Sequence, residues 1–153
     1  MVYKYNFSIS GDMFYPEKIL DKIQGNFTID SFFNPNDKIT PNSNKEYGYG
    51  GISFYHPKKY TVDFIKEYEE AFVEFIEINS KLFFDFGIEE MQIFIEIYYD
   101  GGQCNFEVFD KKMLSKLSFF EVSLPVSVYI LEENEPQKWE NEINREWIKE
   151  KQD

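Results

Sequence analysis

Tyr3, Tyr5, Phe7 and Ile9 alternate with Lys4, Asn6, Ser8 and Ser10, the two-residue period of a strand with one buried and one polar face. Gly11 and Asp12 turn the chain, and Pro16 followed by Ile19, Leu20 and Ile23 predicts a short amphipathic helix that Gly25 stops. Phe27, Ile29 and Ser31 open a second strand, ended by Asn34, Pro35, Asn36 and Asp37, and a polar loop runs from there to Tyr49. Gly50 and Gly51 lead into a third strand, Ile52, Phe54 and His56, which Pro57 closes.

Thr61 is placed to cap a long helix, its hydroxyl accepting an early backbone N–H. Ile65, Tyr68, Phe72, Phe75 or Ile76, and Asn79 mark the buried side of that helix, and Lys81 to Phe86 reads as a further turn or short helix before Gly87. Met91, Ile93, Ile95, Ile97 and Tyr99 alternate with Gln92, Phe94, Glu96 and Tyr98. Asp100, Gly101, Gly102 and Gln103 then predict a tight hairpin turn into a strand through Cys104, Phe106 and Val108. Asp110 is placed to cap a short helix holding Met113, Leu114 and Leu117. Val122, Leu124, Val126, Val128 and Ile130 form a last strand, which Pro125 assigns to a sheet edge or a bulge. Trp139, Ile143 and Trp147 recur at i, i+4 and i+8, the apolar seam of a C-terminal amphipathic helix.

This order of elements predicts an α+β fold, a largely antiparallel sheet of about six strands with helices on one face and the C-terminal amphipathic helix added. Composition shifts at Leu131, so a single domain over residues 1–131 is expected to be followed by a charged helical extension over 132–153. The sheet face turned away from the helices would show Asn6, Ser8, Phe94, Glu96, Tyr98, Glu107, Ser127 and Tyr129. A polar face with embedded aromatics is either a binding surface or a seat for the C-terminal helix.

Charge narrows the choice of partner. The 153 residues carry 28 acidic and 16 basic side chains, a formal charge of −12. Asp63, Glu67, Glu70, Glu74 and Glu77 recur at steps of four, three, four and three, which lays one negative stripe along the long helix. Such a chain repels nucleic acid and anionic membrane surfaces and is steered toward cationic macromolecules. The aromatic content, 17 Phe and 11 Tyr, favours a folded core over an acidic disordered chain. The single Cys104 and the absence of an apolar leader in the opening residues fit a cytoplasmic location, and no run of about 20 apolar residues is present to span a bilayer.

The residues that carry chemistry are sparse. His56 has no Cys, Asp or second His at a metal-like spacing, and Cys104 falls in phase with Phe106 and Val108, where a thiol acts as a small hydrophobe. Gly48, Tyr49, Gly50 and Gly51 enter a strand rather than opening a helix, so they do not form a phosphate cradle. Glu89 with Glu90 and Glu132 with Glu133 are adjacent carboxylates in an acidic surface, not a pair driven apart in a cleft. Asn34 to Asp37 lacks the oxygen-ligand series of a calcium loop. No cofactor, no metal and no catalytic residue is expected.

The segment Ile9-Ser10-Gly11-Asp12-Met13-Phe14-Tyr15-Pro16-Glu17-Lys18-Ile19-Leu20, directly after a first strand, resembles the opening of a family of small bacterial proteins known only as a domain of unknown function. The pattern there is roughly I-S-G-x-x-F-x-P-x-x-I, and the later order of long helix, strand pair, short helix and closing strand is similar from about Tyr3 to Leu131. The resemblance implies a non-enzymatic immunity protein that binds a cognate toxin domain, a basic protein, through an acidic surface. Asp63, Glu67, Glu70, Glu74 and Glu77, with Phe94, Glu96 and Tyr98, are then the candidate contacts, and Trp139, Ile143 and Trp147 a possible tail contact. The alternative is a structural or regulatory module that pairs with itself, as a homodimer, or with a non-toxin protein; a metal-dependent hydrolase is a third class that lacks its constellation.

Overall fold

In the computed structural model, residues 1–62, 66–99, 101, 107–131 and 141 are described. β1 (Val2–Gly11), β2 (Thr28–Phe33), β3 (Gly50–Tyr55), β4 (Thr61–Val62), β5 (Glu90–Tyr99) and β6 (Val126–Ile130) form one sheet, accompanied by α1 (Lys66–Asp85) and α2 (Lys111–Phe119). Five strands lie in the order β2-β3-β1-β5-β6, and the two-residue β4 pairs with the Val2 end of β1. The class is α+β.

The alternating patterns of β1 and β5 form the centre of the sheet. They pair antiparallel from Val2↔Tyr98 to Ser10↔Glu90 and turn Tyr3, Tyr5, Phe7 and Ile9, with Ile93, Ile95 and Ile97, into the core. Tyr68, Phe72, Phe75 and Ile76 of α1 close over them, and Met113 and Leu117 of α2 extend the same layer. Rings fill the space between helix and sheet: Tyr5 lies 5.2 Å from Tyr68 and 5.6 Å from Phe72, and Phe7 lies 5.9 Å from both Phe54 and Phe75. Such pairs contribute about 0.5–1.5 kcal/mol each beyond area burial.

The sheet is mixed, because β6 runs parallel to β5 from Ile95↔Val126 to Tyr99↔Ile130. The chain leaves β5 at Tyr99 and returns through α2, so β6 starts at the end where β5 starts; a helical crossover makes a parallel neighbour where a tight turn would make an antiparallel one. β1 holds one side of β5 and β6 the other. Asp100, Gly102, Gln103, Cys104 and Phe106 lie outside the described residues, and Val108 stands in a bend. β6 is an edge strand with Pro125 just before it, as a residue without an N–H requires.

Several boundaries differ from the pattern-based expectation: the last strand begins at Val126 rather than Val122, and β3 ends at Tyr55, before His56. The segment after Pro16 forms only a 3-10 turn, Pro16–Lys18, followed by separate turns through Ile19, whose carbonyl accepts from both Lys22 and Ile23. One anchor, Ile19, is fully buried there, and so short a segment does not offset the cost of helix nucleation. Thr61 belongs to β4, opposite Tyr3, and is buried rather than capping a helix. The turn expected at Lys81 is the last part of α1, which continues to Asp85 because Leu82 and Phe83 keep the buried stripe in phase. Asp63 and Ile65, together with Trp139, Ile143, Trp147 and the proposed C-terminal helix, lie outside the described residues.

Two glycines at the start of β3 are required by space. A Cβ at Gly50 would stand 1.8 Å from the Phe14 carbonyl oxygen, and one at Gly51 would stand 2.6 Å from Cζ of Phe33. Gly50 thus lets the Phe14 backbone approach, and Gly51 leaves room for the Phe33 ring.

Candidate functional site

Both helices pack on one face of the sheet, and the outward side chains of the other face are partly exposed. The outward positions of β1, β3, β5 and β6 meet in register there. Lys4 stands opposite Glu96, Asn6 lies between Tyr55 and Phe94, Ser8 lies between Ser53 and Gln92, and Tyr98 stands opposite Tyr129.

One half of this face is aromatic and charged. Lys4 donates to Glu96, and its ammonium stands 5.2 Å from the Tyr55 ring centre while Lys59 stands 4.6 Å from the same ring. Partial burial opposes the charge of Lys4 most strongly, yet the Glu96 hydrogen bond and charge together outweigh it, so the pKa of Lys4 is raised. Tyr98 stacks on Tyr129 with ring centres 5.0 Å apart and planes 15° apart. Burial first and the charge of Glu96 second push the Tyr98 hydroxyl up to about 12.

The other half is a cavity of about 440 Å³. Ser8, Ser10 and Ser53 supply hydroxyls to its floor and Gln92 an amide. Phe33 and Tyr49 form a wall, ring centres 5.2 Å apart and nearly perpendicular, and Tyr47 stacks on Phe33 at 4.1 Å. Asp12, Glu89 and Glu90 complete the lining. The backbone N–H of Glu89 donates to the Ser10 carbonyl at 2.8 Å, which carries the β1–β5 ladder past its last pair and fixes the two glutamates at the rim.

The acidic stripe lies elsewhere, on the helix side. Glu67 and Glu74 are exposed and Glu70 and Glu77 half-buried along α1. Lys66 reaches Glu70 at 3.6 Å and Asp110 at 3.4 Å, and Lys116 of α2 donates to Glu77 at 2.8 Å. The stripe therefore borders a depression between α1 and α2 that Lys66, Lys112 and Lys116 also line. Of the expected contacts, Phe94, Glu96 and Tyr98 are brought together on the open face, whereas Glu67, Glu70, Glu74 and Glu77 stand on the opposite layer, so the two groups do not form one patch.

A carboxylate whose pKa is raised by burial belongs to neither group. Glu69, only 6% exposed, accepts from the Phe109 N–H at 3.1 Å and from the Tyr5 hydroxyl at 3.3 Å. Burial raises its pKa against the lowering effect of those two donors, and the charges of Asp110 and Glu107 add to the rise. The Phe109 backbone is left-handed, φ 58°, a conformation that its buried ring and its bond to Glu69 hold. Glu69 thus ties α1 to the segment entering α2.

His56 packs its ring edge-on to Phe27 at 5.6 Å and against Tyr68 at 4.8 Å, an interior role. Among the described residues no three His, Cys, Asp or Glu side chains gather to hold a metal ion, and no helix is long and apolar enough to cross a membrane. The cavity was not legible in advance, since its lining comes from four separate stretches of chain; Phe33, Tyr47 and Tyr49, large rings within a polar segment, are the one signal that points to it. Comparison with protein-family models, curated proteins and solved structures finds no match.

Proposed function

We propose that this chain is a non-catalytic protein-binding module of the immunity type, which neutralises a basic toxin domain by engaging it with the open face of its sheet. The observation that carries the reading is the row of partly exposed rings, Tyr55, Phe94 and Tyr98, with Tyr129 beside them, set around Lys4 and Glu96 on the sheet face turned away from α1 and α2. Aromatic side chains that offer apolar area beside polar atoms are the residues that anchor protein interfaces. The charge of −12 supplies the long-range attraction for a cationic partner, and the opening Ile9-Ser10-Gly11 motif supplies the resemblance to candidate immunity proteins. Glu69, the carboxylate whose surroundings most favour acid–base chemistry, is engaged by Tyr5 and Phe109 in the core, which supports binding over catalysis.

The test is co-expression with basic bacterial toxin domains, beginning with any that a neighbouring reading frame encodes. Growth should be restored by the wild-type chain and lost when Phe94→Ala and Tyr98→Ala are combined in a variant that keeps its fold by circular dichroism. Full protection by that double variant would overturn the reading. The helix-side stripe is a secondary steering surface under this proposal, because Glu70 and Glu77 already have lysine partners in their own chain.

A further inference from the structure

We propose that the serine-floored cavity at the Gly11 end of the open face is a receptor for one arginine side chain of the partner protein, an inference that rests on the reading of that face as the partner-binding surface. At about 440 Å³ the cavity is near the small end of the range for ligand sites, roughly 300–1,000 Å³, which suits a single side chain better than a folded segment.

Its charge selects a cation. Asp12, Glu89 and Glu90 line it, and among the described residues no Lys, Arg or His does and none of the three carboxylates is in an ion pair. The nearest group to Glu90 is the Ser10 hydroxyl at 3.5 Å, the limit of a hydrogen bond. The depression between α1 and α2 is the contrast within this molecule, since its carboxylates share the lining with three lysines, and Lys66 pairs with both Glu70 and Asp110. An anionic ligand is repelled from the sheet cavity and accepted no better by its hydroxyls than by water.

The shape of the acceptors selects a guanidinium among cations. Hydroxyl oxygens of Ser8, Ser10 and Ser53 and the Gln92 amide lie across the floor, and the carboxylates lie at the rim. A planar group with five donors spread around its edge matches acceptors distributed in this way, whereas an ammonium is a compact, strongly hydrated point charge. The Phe33 and Tyr49 rings add a wall over which a weakly hydrated cation is attracted by the π faces. The wall is held before any ligand arrives: Tyr47 stacks on Phe33, and Gly51 leaves room for the Phe33 ring, where a Cβ would displace it. Preorganisation of this kind removes an ordering cost from binding.

Backbone amide NMR of the full chain, titrated with the capped tripeptide Gly-Arg-Gly, tests the assignment. Saturable shifts are expected at Ser8, Ser10, Gly51 and Ser53, with no saturable response to the same peptide carrying citrulline or lysine or to a neutral disaccharide. Glu90→Gln, an exposed substitution, and Phe33→Leu should each abolish the saturable shifts while the remaining spectrum stays dispersed; if Phe33→Leu does not fold, Glu90→Gln decides. An equal response to citrulline, lysine or the sugar, or persistence of the shifts in Glu90→Gln, would overturn the proposal. Shifts confined to Lys4, Glu96 and Tyr129 would remove the cavity and leave the open-face reading standing. Conversely, an arginine-specific cavity in a chain whose Phe94→Ala and Tyr98→Ala variant still protects against the toxin domain would leave the receptor standing and remove the wider face.

Discussion

Glu69 and Asp110 show how the same functional group acquires opposite roles within a few ångströms. Asp110 caps α2 by accepting the Met113 N–H at 2.9 Å, and that bond first, with the Lys66 charge, holds its carboxyl below the ordinary value of 3.8. Its contribution to stability is present above that ordinary value and is lost as the pH falls through the lowered one. Glu69 is raised above its ordinary 4.5 by burial, so the folded chain binds its proton more tightly than the unfolded chain does. Its contribution favours the fold fully below 4.5 and is lost as the pH rises through the raised folded value. Thermal midpoints measured against pH should therefore show a decline on the alkaline side of 4.5 that is flattened in Glu69→Gln, which keeps an oxygen for Phe109 and carries no charge. An identical pH profile in the two proteins would show that Glu69 does not titrate differently on folding.

At the scale of elements, the connection between the 3-10 turn and β2 depends on one buried amide. Asn79 of α1 accepts from the Gln24 N–H at 2.9 Å and donates at 2.9 Å to both the Gln24 and Phe75 carbonyls, so a helix side chain stands in for a strand neighbour. Asn79→Ala should cost about 1–3 kcal/mol in denaturant unfolding, the range for leaving a buried partner unsatisfied, and should release amide exchange at Gln24 before the rest of the sheet. An aliphatic-like cost without selective exchange at Gln24 would assign the residue to packing alone. Elements also differ in how well the helices cover them: Val126 and Val128 of β6 share register with the buried Ile95 and Ile97 but are 53% and 54% exposed, because neither helix extends over the sheet edge. The edge strand follows the sheet's alternation without its burial.

For the molecule as a whole, carboxylates stand on both layers, along α1 and at the sheet cavity, whereas the ring row of Tyr55, Phe94 and Tyr98 lies on the sheet face alone. Carboxylates on α1 and at the cavity rim act through a field that salt screens over a Debye length of about 8 Å at 0.15 M, whereas the rings of the open face act only on contact. Under the proposed immunity function, stopped-flow association with a basic toxin domain should slow steeply as salt rises, with dissociation nearly constant, and Glu67→Lys with Glu74→Lys should flatten that dependence without accelerating dissociation. A dissociation rate raised by the two reversals would place α1 inside the interface instead. The periods of β1, β5 and α1 were readable from the chain alone, because an alternating or a helical pattern is set by neighbours two to four residues apart. Pro125, which lacks a donor, allowed a sheet edge or a bulge, and the strand order places β6 last among the described strands. Strand order, the parallel direction of β6, the pairing of Glu77 with Lys116 and the cavity assembled from Ser8, Phe33, Ser53 and Glu90 were decided by the tertiary structure. Each of these joins residues far apart in the chain, and local periodicity states which face of an element is buried but not which element it meets.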